Sequence, residues 1–379
     1  MTAPAPMTEP AAPFRAEHVG SFLRPAALLA ARERHEAGEI ARDELRAAED
    51  AAIRDVVRLQ HELGLQSITD GEYRRSTYSD SFTTAGLDGV TADFTGEGNW
   101  AYRDRHGHRT AARIPTVTGR IVWQGSRNAA DFAFLAGLVE DGRLPKMTLP
   151  GPAYIHYRGG RAHIDSDAYP DLDDFWSDLV AAYRSELRAL YDAGCRYVQL
   201  DETSLAKLGD PKIRAALKER GDDWEDLLDI YAEAINAVVA GAPDGMGIGI
   251  HLCRGNNQGH WQADGGYDAI AAALFRKVEI GGYFLEYDSP RAGTFEPLRE
   301  VPEGKKIVLG LVSTKTAEIE ERDAILRRIE EASRIVPLDR LCLSPQCGFA
   351  SSFQGNPLGA EQQNAKLRLV VDIAKEVWG

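Results

Sequence analysis

Short apolar segments alternate with amphipathic helical patterns along most of this chain, and that rhythm restricts its fold more than any other feature. We predict eight strands, at 17–22, 65–72, 146–152, 197–202, 246–253, 282–288, 306–313 and 341–348. Strands that alternate with helices form parallel sheets, and eight such units favour a closed (β/α)8 TIM barrel. An open doubly wound sheet is the alternative, but no G-x-G-x-x-G sequence follows the first predicted strand.

The helical patterns fill most of the intervals between the predicted strands. We predict helices at 42–63, 171–193, 223–240, 267–276, 318–334 and 360–377, and a shorter helical turn at 296–300. The second of these has typical boundary signals, because the acidic sequence "DLDD" opens it and Gly194 follows its end.

The alternation of predicted strands and helices is interrupted once, between the second and third strands. Residues 74–145 form a long insertion that is rich in aromatic and charged side chains, and 116–123 within it predicts part of a hairpin. Insertions at this end of a barrel cover its mouth, so we expect this one to influence substrate choice. We predict one catalytic domain at 14–379, preceded by a disordered Ala/Pro-rich tail at 1–13.

Composition and charge exclude several classes of partner. The chain has 379 residues and a net charge of −14, whereas nucleic acids and anionic membranes are bound by basic surfaces. No apolar run approaches the roughly 20 residues of a membrane span, and the N-terminal sequence lacks the pattern of a secretory signal. Four cysteines in a chain of this length do not indicate a disulfide framework, so we expect a reducing, cytoplasmic location.

Polar residues collect at the predicted carboxyl ends of the strands, where barrel enzymes place their functional groups. They are Ser21, Asp70, Glu72, Asp201, Glu202, His251, Cys253, Glu286, Asp288, Ser313, Lys315 and Cys347. Four of them, His251, Cys253, Glu286 and Cys347, form a set of one imidazole, two thiolates and one carboxylate, which suits four-coordinate zinc.

The remaining cysteines and histidines have plainer interpretations. Cys195 and Cys342 lie within apolar runs and are predicted to be core residues. The pair His106 and His108, in the insertion, is a second and weaker candidate for a metal site.

Six short sequences resemble the catalytic domain of cobalamin-independent methionine synthase. They are "HVGSF", "DGE", "QLDE", "HLCRGN", "LEYD" and "SPQCGF", and the resemblance extends from about 17 to 375. It is greatest to short bacterial homologues that lack the family's duplicated N-terminal domain. The family is a zinc-binding (β/α)8 barrel that moves a methyl group from a methylated pterin to homocysteine sulfur. The resemblance therefore implies zinc, homocysteine and a methyl donor such as methylated folate or methylcobalamin.

The resemblance also assigns roles to individual positions. It implies that the zinc ligands are His251, Cys253, Glu286 and Cys347. It further implies that Ser21 contacts the carboxylate of the amino acid, and that Glu72 and Asp201 hold its ammonium group. A zinc-bound thiolate would be the nucleophile, because zinc deprotonates a coordinating thiol. We predict that Glu286 is the exchangeable ligand, since a carboxylate is a harder ligand than the thiolates.

Two positions depart from the family pattern. Arg158 stands where the family has a tryptophan that stacks on the pterin, and Lys315 stands where it has a catalytic histidine. Lys315 is thus the candidate catalytic residue beyond the metal, and the departures concern the methyl donor more than the thiol.

Three other functions remain open on the sequence. Epoxyalkane:coenzyme M transferases use the same zinc site to alkylate a sulfonate-bearing thiol, which arginines near the strand ends would favour. These are Arg24, Arg74, Arg75 and Arg254. A zinc hydrolase would use metal-activated water, although two thiolates weaken the Lewis acid. A non-catalytic zinc-binding or pterin-binding protein is the third alternative. The sequence does not indicate the oligomeric state.

Overall fold

A computed structural model describes residues 12–95, 102–103, 109–110 and 112–379. Its central sheet is parallel, and successive strands are neighbours. The six strands of this sheet are Met147–Pro150, Tyr197–Asp201, Gly247–Leu252, Gly282–Glu286, Lys306–Val312 and Leu341–Pro345. They correspond to the last six predicted strands and are almost completely buried, as expected for strands covered by helices.

Three further contacts close the sheet into a ring. The Phe22 N–H, at the end of the first predicted strand, donates to the Gly71 carbonyl of the second at 3.1 Å. Ser67–Ile68 pairs in parallel with Leu144–Pro145, directly before the third predicted strand. Ala16 makes a parallel bridge to Leu343 of the last strand. The predicted (β/α)8 barrel is therefore confirmed, although its first two strands are shorter than predicted.

Helices surround the barrel. The α-helices are Ala26–Glu36, Arg42–Leu63, Thr83–Gly86, Arg127–Ala136, Ala153–Tyr157, Leu172–Asp192, Thr203–Lys207, Pro211–Arg220, Trp224–Ala240, Ala271–Lys277, Arg322–Ser333 and Ala360–Trp378. Short 3-10 helices lie at Gly160–His163, Pro290–Ala292, Glu296–Glu300 and Leu338–Arg340. Across the described parts of the chain, no helix has the length and apolar character that crossing a bilayer requires.

The insertion after the second strand contains two antiparallel strand pairs, separate from the barrel sheet. Leu87–Thr95 pairs with Ala112–Trp123, and Tyr102–Arg103 pairs with Arg109–Thr110. The predicted strand at 116–123 is thus part of a longer strand. At the start of the insertion, Thr77 bridges to Ser352 in the loop after the last strand.

The predicted tail lies mostly outside the described residues. Its last residue, Pro13, is buried beside Gly282.

Buried side chains fix the first predicted strand, at 17–22, in the barrel. Glu17 and Lys146 form an ion pair with Oε2 and Nζ 3.1 Å apart, and neither side chain is exposed. Glu17 also accepts hydrogen bonds from the Ser67 and Tyr197 hydroxyls at 2.7 and 3.1 Å. Lys146 donates in addition to the His18 carbonyl. This network joins the first four predicted strands, and all of its side chains are buried.

We predict that Lys146→Met destabilises the protein by about 3–5 kcal/mol, because it leaves the Glu17 carboxylate buried without its cation. Urea unfolding monitored by circular dichroism would measure the change. The matched control is Lys277→Met, whose pair with Asp229 is half exposed and should be worth less than about 1 kcal/mol. The double variant Glu17→Gln/Lys146→Met should recover part of the loss. Equal stability of Lys146→Met and the control would contradict a structural role for the buried pair.

Candidate active site

A pocket of about 450 Å³ opens at the carboxyl ends of the barrel strands. Its lining comes from strand ends around the ring and from the start of the insertion. The lining residues are Val19, Ser21, Glu72, Tyr78, Asp201, Thr203, His251, Cys253, Gly255, Asn256, Cys347, Gly348 and Ser351. Six of the seven residues predicted for the metal and the substrate lie here. The seventh, Glu286, does not line the pocket.

Three of the predicted ligands come together on one side of this pocket. His251 lies near the end of strand Gly247–Leu252, Cys253 follows that strand, and Cys347 lies in the loop after the last strand. One ligand atom from each residue lies within 4.8 Å of the others, and all three residues are buried. Within the described ranges, this is the group of histidine, cysteine and acidic side chains whose spacing could hold a metal ion.

The thiols of Cys253 and Cys347 influence each other's pKa. A hydrogen bond between Cys253 and Cys347 lowers the pKa of the Cys347 thiol, while this bond and burial raise the pKa of the Cys253 thiol. Both ring nitrogens of His251 are buried without a hydrogen-bond partner. Unpartnered imidazole nitrogen next to two thiols is the donor set that zinc prefers, so the residues present fit this metal.

Glu286 faces a set of cations behind the pocket. Its Oε2 accepts a hydrogen bond from the Arg254 backbone N–H at 2.6 Å, and its Oε1 lies 3.2 Å from Lys315 Nζ and also pairs with Arg291. Burial opposes ionisation of Glu286, but Lys315 and Arg291 outweigh it and hold the pKa of this carboxyl well below its usual range. Lys315 pairs with Asp288 as well, at 3.0 Å. Burial would lower the pKa of Lys315, but Glu286 and Asp288 raise it, so the lysine is a cation.

Two further buried carboxylates, Glu72 and Asp201, line the same pocket. Glu72 Oε1 accepts a hydrogen bond from Thr148 Oγ1 at 2.9 Å, whereas its Oε2 is buried and has no partner. Burial raises the pKa of Asp201 to about 7; His251 opposes the rise, and the Glu72 carboxylate adds to it. Asp201 is the register partner of His251 on the neighbouring strand. Among the described residues, neither carboxylate forms an ion pair with a lysine or an arginine, so both could pair with the cationic group of a ligand.

The backbone at Glu72 is unusual. Glu72 has a φ of 61° and follows Gly71, which has a φ of 68°, so two consecutive residues adopt the left-handed conformation. That conformation is costly for a residue with a side chain and is found most often at functional sites. The Asp70 carboxylate accepts a hydrogen bond from the Glu72 N–H at 2.8 Å and thereby stabilises the turn.

Ser21 enters the pocket from the first barrel position. Its carbonyl accepts a hydrogen bond from the Phe349 N–H at 3.0 Å, and its hydroxyl accepts one from the Ala350 N–H at 3.3 Å. A Cβ on Gly348 would lie 2.0 Å from Ser21 Oγ. Glycine at 348 therefore allows the loop that carries Cys347 to pass close to Ser21.

The four arginines near the strand ends bind groups outside the pocket. Arg24 donates to four backbone carbonyls, and Arg74 pairs with Asp50 and Asp131. Arg75 donates to Thr148, and Arg254 donates to the carbonyls of Gly265 and Glu286. Neither lysine nor arginine contributes to the described lining of the pocket.

Other residues in this region were not predicted from the sequence or have no assigned role. Arg291 was missed, because nothing in "DSPRAGT" indicates that its guanidinium reaches Glu286. Asn256 was also missed, and its amide donates to Thr314 Oγ1 at 3.2 Å. Arg158 is buried directly after helix Ala153–Tyr157. His106 and His108, the second metal candidate, lie outside the described residues.

Comparisons with known proteins agree with this arrangement. Residues 14–376 match the model of the cobalamin-independent synthase catalytic domain. The uncharacterized protein YxjH of Bacillus subtilis (strain 168) is 44% identical over 97% of this chain and 95% of its own length. The 5-methyltetrahydropteroyltriglutamate–homocysteine methyltransferase of Bacillus velezensis is 25% identical over 94% of this chain but only 42% of its own length. A solved Listeria monocytogenes structural-genomics target has a TM-score of 0.75 and 39% identity, covering 97% of this chain and 99% of that one.

The fold and site define a barrel protein with a buried His/Cys/Cys group, which could hold a metal ion, at the mouth of the barrel. The chain belongs to the family of cobalamin-independent synthase catalytic domains. This is a family of methyltransferases that includes methionine synthase-like enzymes.

We predict that Cys253→Ala and Cys347→Ala each lose the metal, because the two remaining ligands cannot hold it tightly. Mass spectrometry of the metal content after purification would show the loss. Cys195→Ala and Cys342→Ala are matched controls, since both cysteines are equally buried but lie outside the pocket. Full metal content in both pocket variants would rule out this site.

Proposed function

We propose that this chain is a zinc-dependent methyltransferase whose acceptor is the thiol of homocysteine, with residues 14–379 acting as one catalytic domain. The observation that carries the proposal is the pairing, within one pocket, of a His/Cys/Cys group with two buried carboxylates that lack a cation. An amino acid with a terminal thiol has complementary groups for both sides, because its ammonium suits the carboxylates and its sulfur suits the metal.

His251, Cys253 and Cys347 would hold the zinc ion. Zinc supplies a positive charge that keeps a thiol in its thiolate form near neutral pH, where a free thiol with a pKa of about 8.5 is mostly protonated.

The remaining pocket residues bind and orient the acceptor. Glu72 Oε2 and the Asp201 carboxylate receive the ammonium group, and Ser21 lies beside them to receive the carboxylate of the amino acid. The sulfur then points to the His251 side of the pocket. Methyl transfer forms a sulfur–carbon bond while the bond between donor and methyl breaks, leaving its electron pair on the donor; the thiol proton goes to solvent. Holding the sulfur and the methyl carbon together accounts for much of the expected acceleration.

The pocket charges favour homocysteine over coenzyme M as the acceptor. Coenzyme M has a sulfonate and no amine, so Glu72 and Asp201 would repel it. The arginines that could have balanced the sulfonate are bound elsewhere, as described above. A hydrolase is also less well supported, because the paired thiols Cys253 and Cys347 reduce the Lewis acidity that metal-activated water requires.

The departures from the family pattern concern the donor half of the proposal more than the homocysteine half. The Bacillus velezensis relative is named for 5-methyltetrahydropteroyltriglutamate and homocysteine, and this chain covers less than half of it. The family's tryptophan is replaced by Arg158, which is buried. We propose a methylated folate or methylcobalamin as the donor.

We predict that Glu72→Gln weakens homocysteine binding roughly 10–100-fold, because a hydrogen bond to a charged group is worth about 1.5–3 kcal/mol. Isothermal titration calorimetry of the zinc-loaded protein would measure it. The same variant should bind 4-mercaptobutanoate, which lacks the amine, as well as the wild type does. Glu62→Gln, on the exposed face of helix Arg42–Leu63, is the matched control. Binding of coenzyme M but not homocysteine by the wild type would reverse the choice of acceptor.

A donor screen with homocysteine as the fixed acceptor tests the reaction itself. Methylated folate, methylcobalamin and an epoxide would each be offered to the zinc-loaded protein, and the thiol product would be identified by mass spectrometry. We expect methionine from one of the two methyl donors. A hydroxyalkyl thioether from the epoxide alone would show an alkyltransferase of another kind.

A further inference from the structure

A second cavity, of about 910 Å³, is lined mainly by charged and small polar residues, and we call it the arginine cavity. Its charged lining residues are Arg42, Arg46, Arg74, Arg75, Arg127, Asp80 and Asp131. Along the whole chain acidic residues outnumber basic ones, 58 to 44. The charge balance of this cavity is therefore opposite to that of the protein.

The arginine cavity lies at the same end of the barrel as the active-site pocket. Arg42 and Arg46 belong to the first turns of helix Arg42–Leu63, and Arg127 begins helix Arg127–Ala136. Each of these helices runs back to the amino end of the next barrel strand, so its first turn lies at the carboxyl ends of the strands. Those ends also form the mouth of the active-site pocket.

Arg75 connects the arginine cavity with the active-site pocket. One nitrogen of its guanidinium donates to Thr148 Oγ1 at 2.9 Å, and that hydroxyl donates to Glu72 Oε1 at 2.9 Å. Arg75 lines the cavity, whereas Glu72 lines the pocket. The two spaces are thus neighbours across a short chain of hydrogen bonds.

Three of the five arginines have acidic partners. Arg42 pairs with Glu49, and both Arg46 and Arg74 pair with Asp131. Asp131 belongs to the second of the two helices that border the cavity. These ion pairs join that helix to its neighbours, so a structural role accounts for them.

The other two arginines have no such explanation. In the parts of the chain that the structure describes, neither Arg75 nor Arg127 forms an ion pair with an acidic side chain. Arg75 is only 4% exposed, and its guanidinium donates to neutral acceptors, which are Thr148 Oγ1, Met147 Sδ and the Tyr78 carbonyl. A buried charge without an opposite charge is costly. An anion in the cavity would compensate it.

We propose that the arginine cavity is a binding site for an oxyanion group with two or more negative charges, carried by phosphate or by paired carboxylates. Planar guanidinium groups match the oxygens of both with parallel N–H donors, and Arg75 and Arg127 supply charge that no described acid balances. Two sources share this chemistry, namely a free anion and the anionic part of a methyl donor whose methyl group reaches the adjoining pocket. The inference goes beyond the proposed function, because this site requires neither the metal nor the thiol.

The first test is a calorimetric titration with inorganic pyrophosphate at constant ionic strength, without homocysteine. We expect the wild type to bind one pyrophosphate per chain, and Arg127→Gln to bind it roughly tenfold more weakly, which is the scale of one hydrogen bond between charged groups. Arg368→Gln removes the same charge from the exposed face of helix Ala360–Trp378 and should bind as the wild type does. No binding by the wild type, or equal binding by both variants, would overturn the inference.

A second pair of variants tests the buried arginine. Arg75→Gln should also weaken pyrophosphate binding about tenfold, and Arg75→Lys, which keeps the charge but not the planar group, should recover part of the loss. Thermal unfolding followed by circular dichroism separates lost binding from lost folding. If Arg75→Gln does not fold, the comparison of Arg127→Gln with Arg368→Gln decides the question alone.

Competition with methylated folate, which carries the two carboxylates of its glutamate, distinguishes the two sources. Displacement of pyrophosphate by the folate would assign the cavity to the donor, and simultaneous binding of both would assign it to a free anion. Either result supports the site. Absence of pyrophosphate binding would leave the proposed function intact, and failure of homocysteine methylation would leave the anion site intact.

Discussion

The buried ion pair between Glu17 and Lys146 is the interaction on which the closed barrel depends most. Among the described residues, the first predicted strand has one ladder bridge, at Ala16, and side chains supply much of its remaining support. Gln199 donates to the Val19 carbonyl at 2.6 Å, and Thr69 donates to the Gly20 carbonyl at the same distance. Ser21 follows directly, so the placement of one wall of the pocket is set by polar contacts deep inside the barrel.

Charge is distributed unevenly around the barrel mouth. On one side, Glu72 and Asp201 face the pocket with no lysine or arginine in its described lining. On the other, behind the metal group, Lys315 and Arg291 surround Glu286. The His251, Cys253 and Cys347 side chains line the same pocket as Glu72 and Asp201. This arrangement suits an acceptor that carries an amine at one end and a sulfur at the other.

The sequence predicts the regular parts of this structure well. Buried strands such as Lys306–Val312 and amphipathic helices such as Arg42–Leu63 have strong periodic signals. The first strand was predicted too long, because side chains rather than a backbone ladder hold it. Helix Ala26–Glu36 was missed, since it has one buried residue, Leu28, and little apolar periodicity.

The candidate site was predictable only in part. The ligand types and their strand ends could be recognised, and the structure brings His251, Cys253 and Cys347 together. The partners of Glu286 could not be predicted, because Arg291 and Lys315 reach it through tertiary contacts.

The backbone conformation of Glu72 has a consequence for stability, because a left-handed residue suits glycine or asparagine better than glutamate. Substitutions to glycine or asparagine would remove the strain in this turn but would also remove the carboxylate. Higher thermal stability would therefore be gained at the expense of the proposed role of Glu72 in substrate binding. Selection for heat resistance alone would therefore favour loss of the carboxylate at position 72.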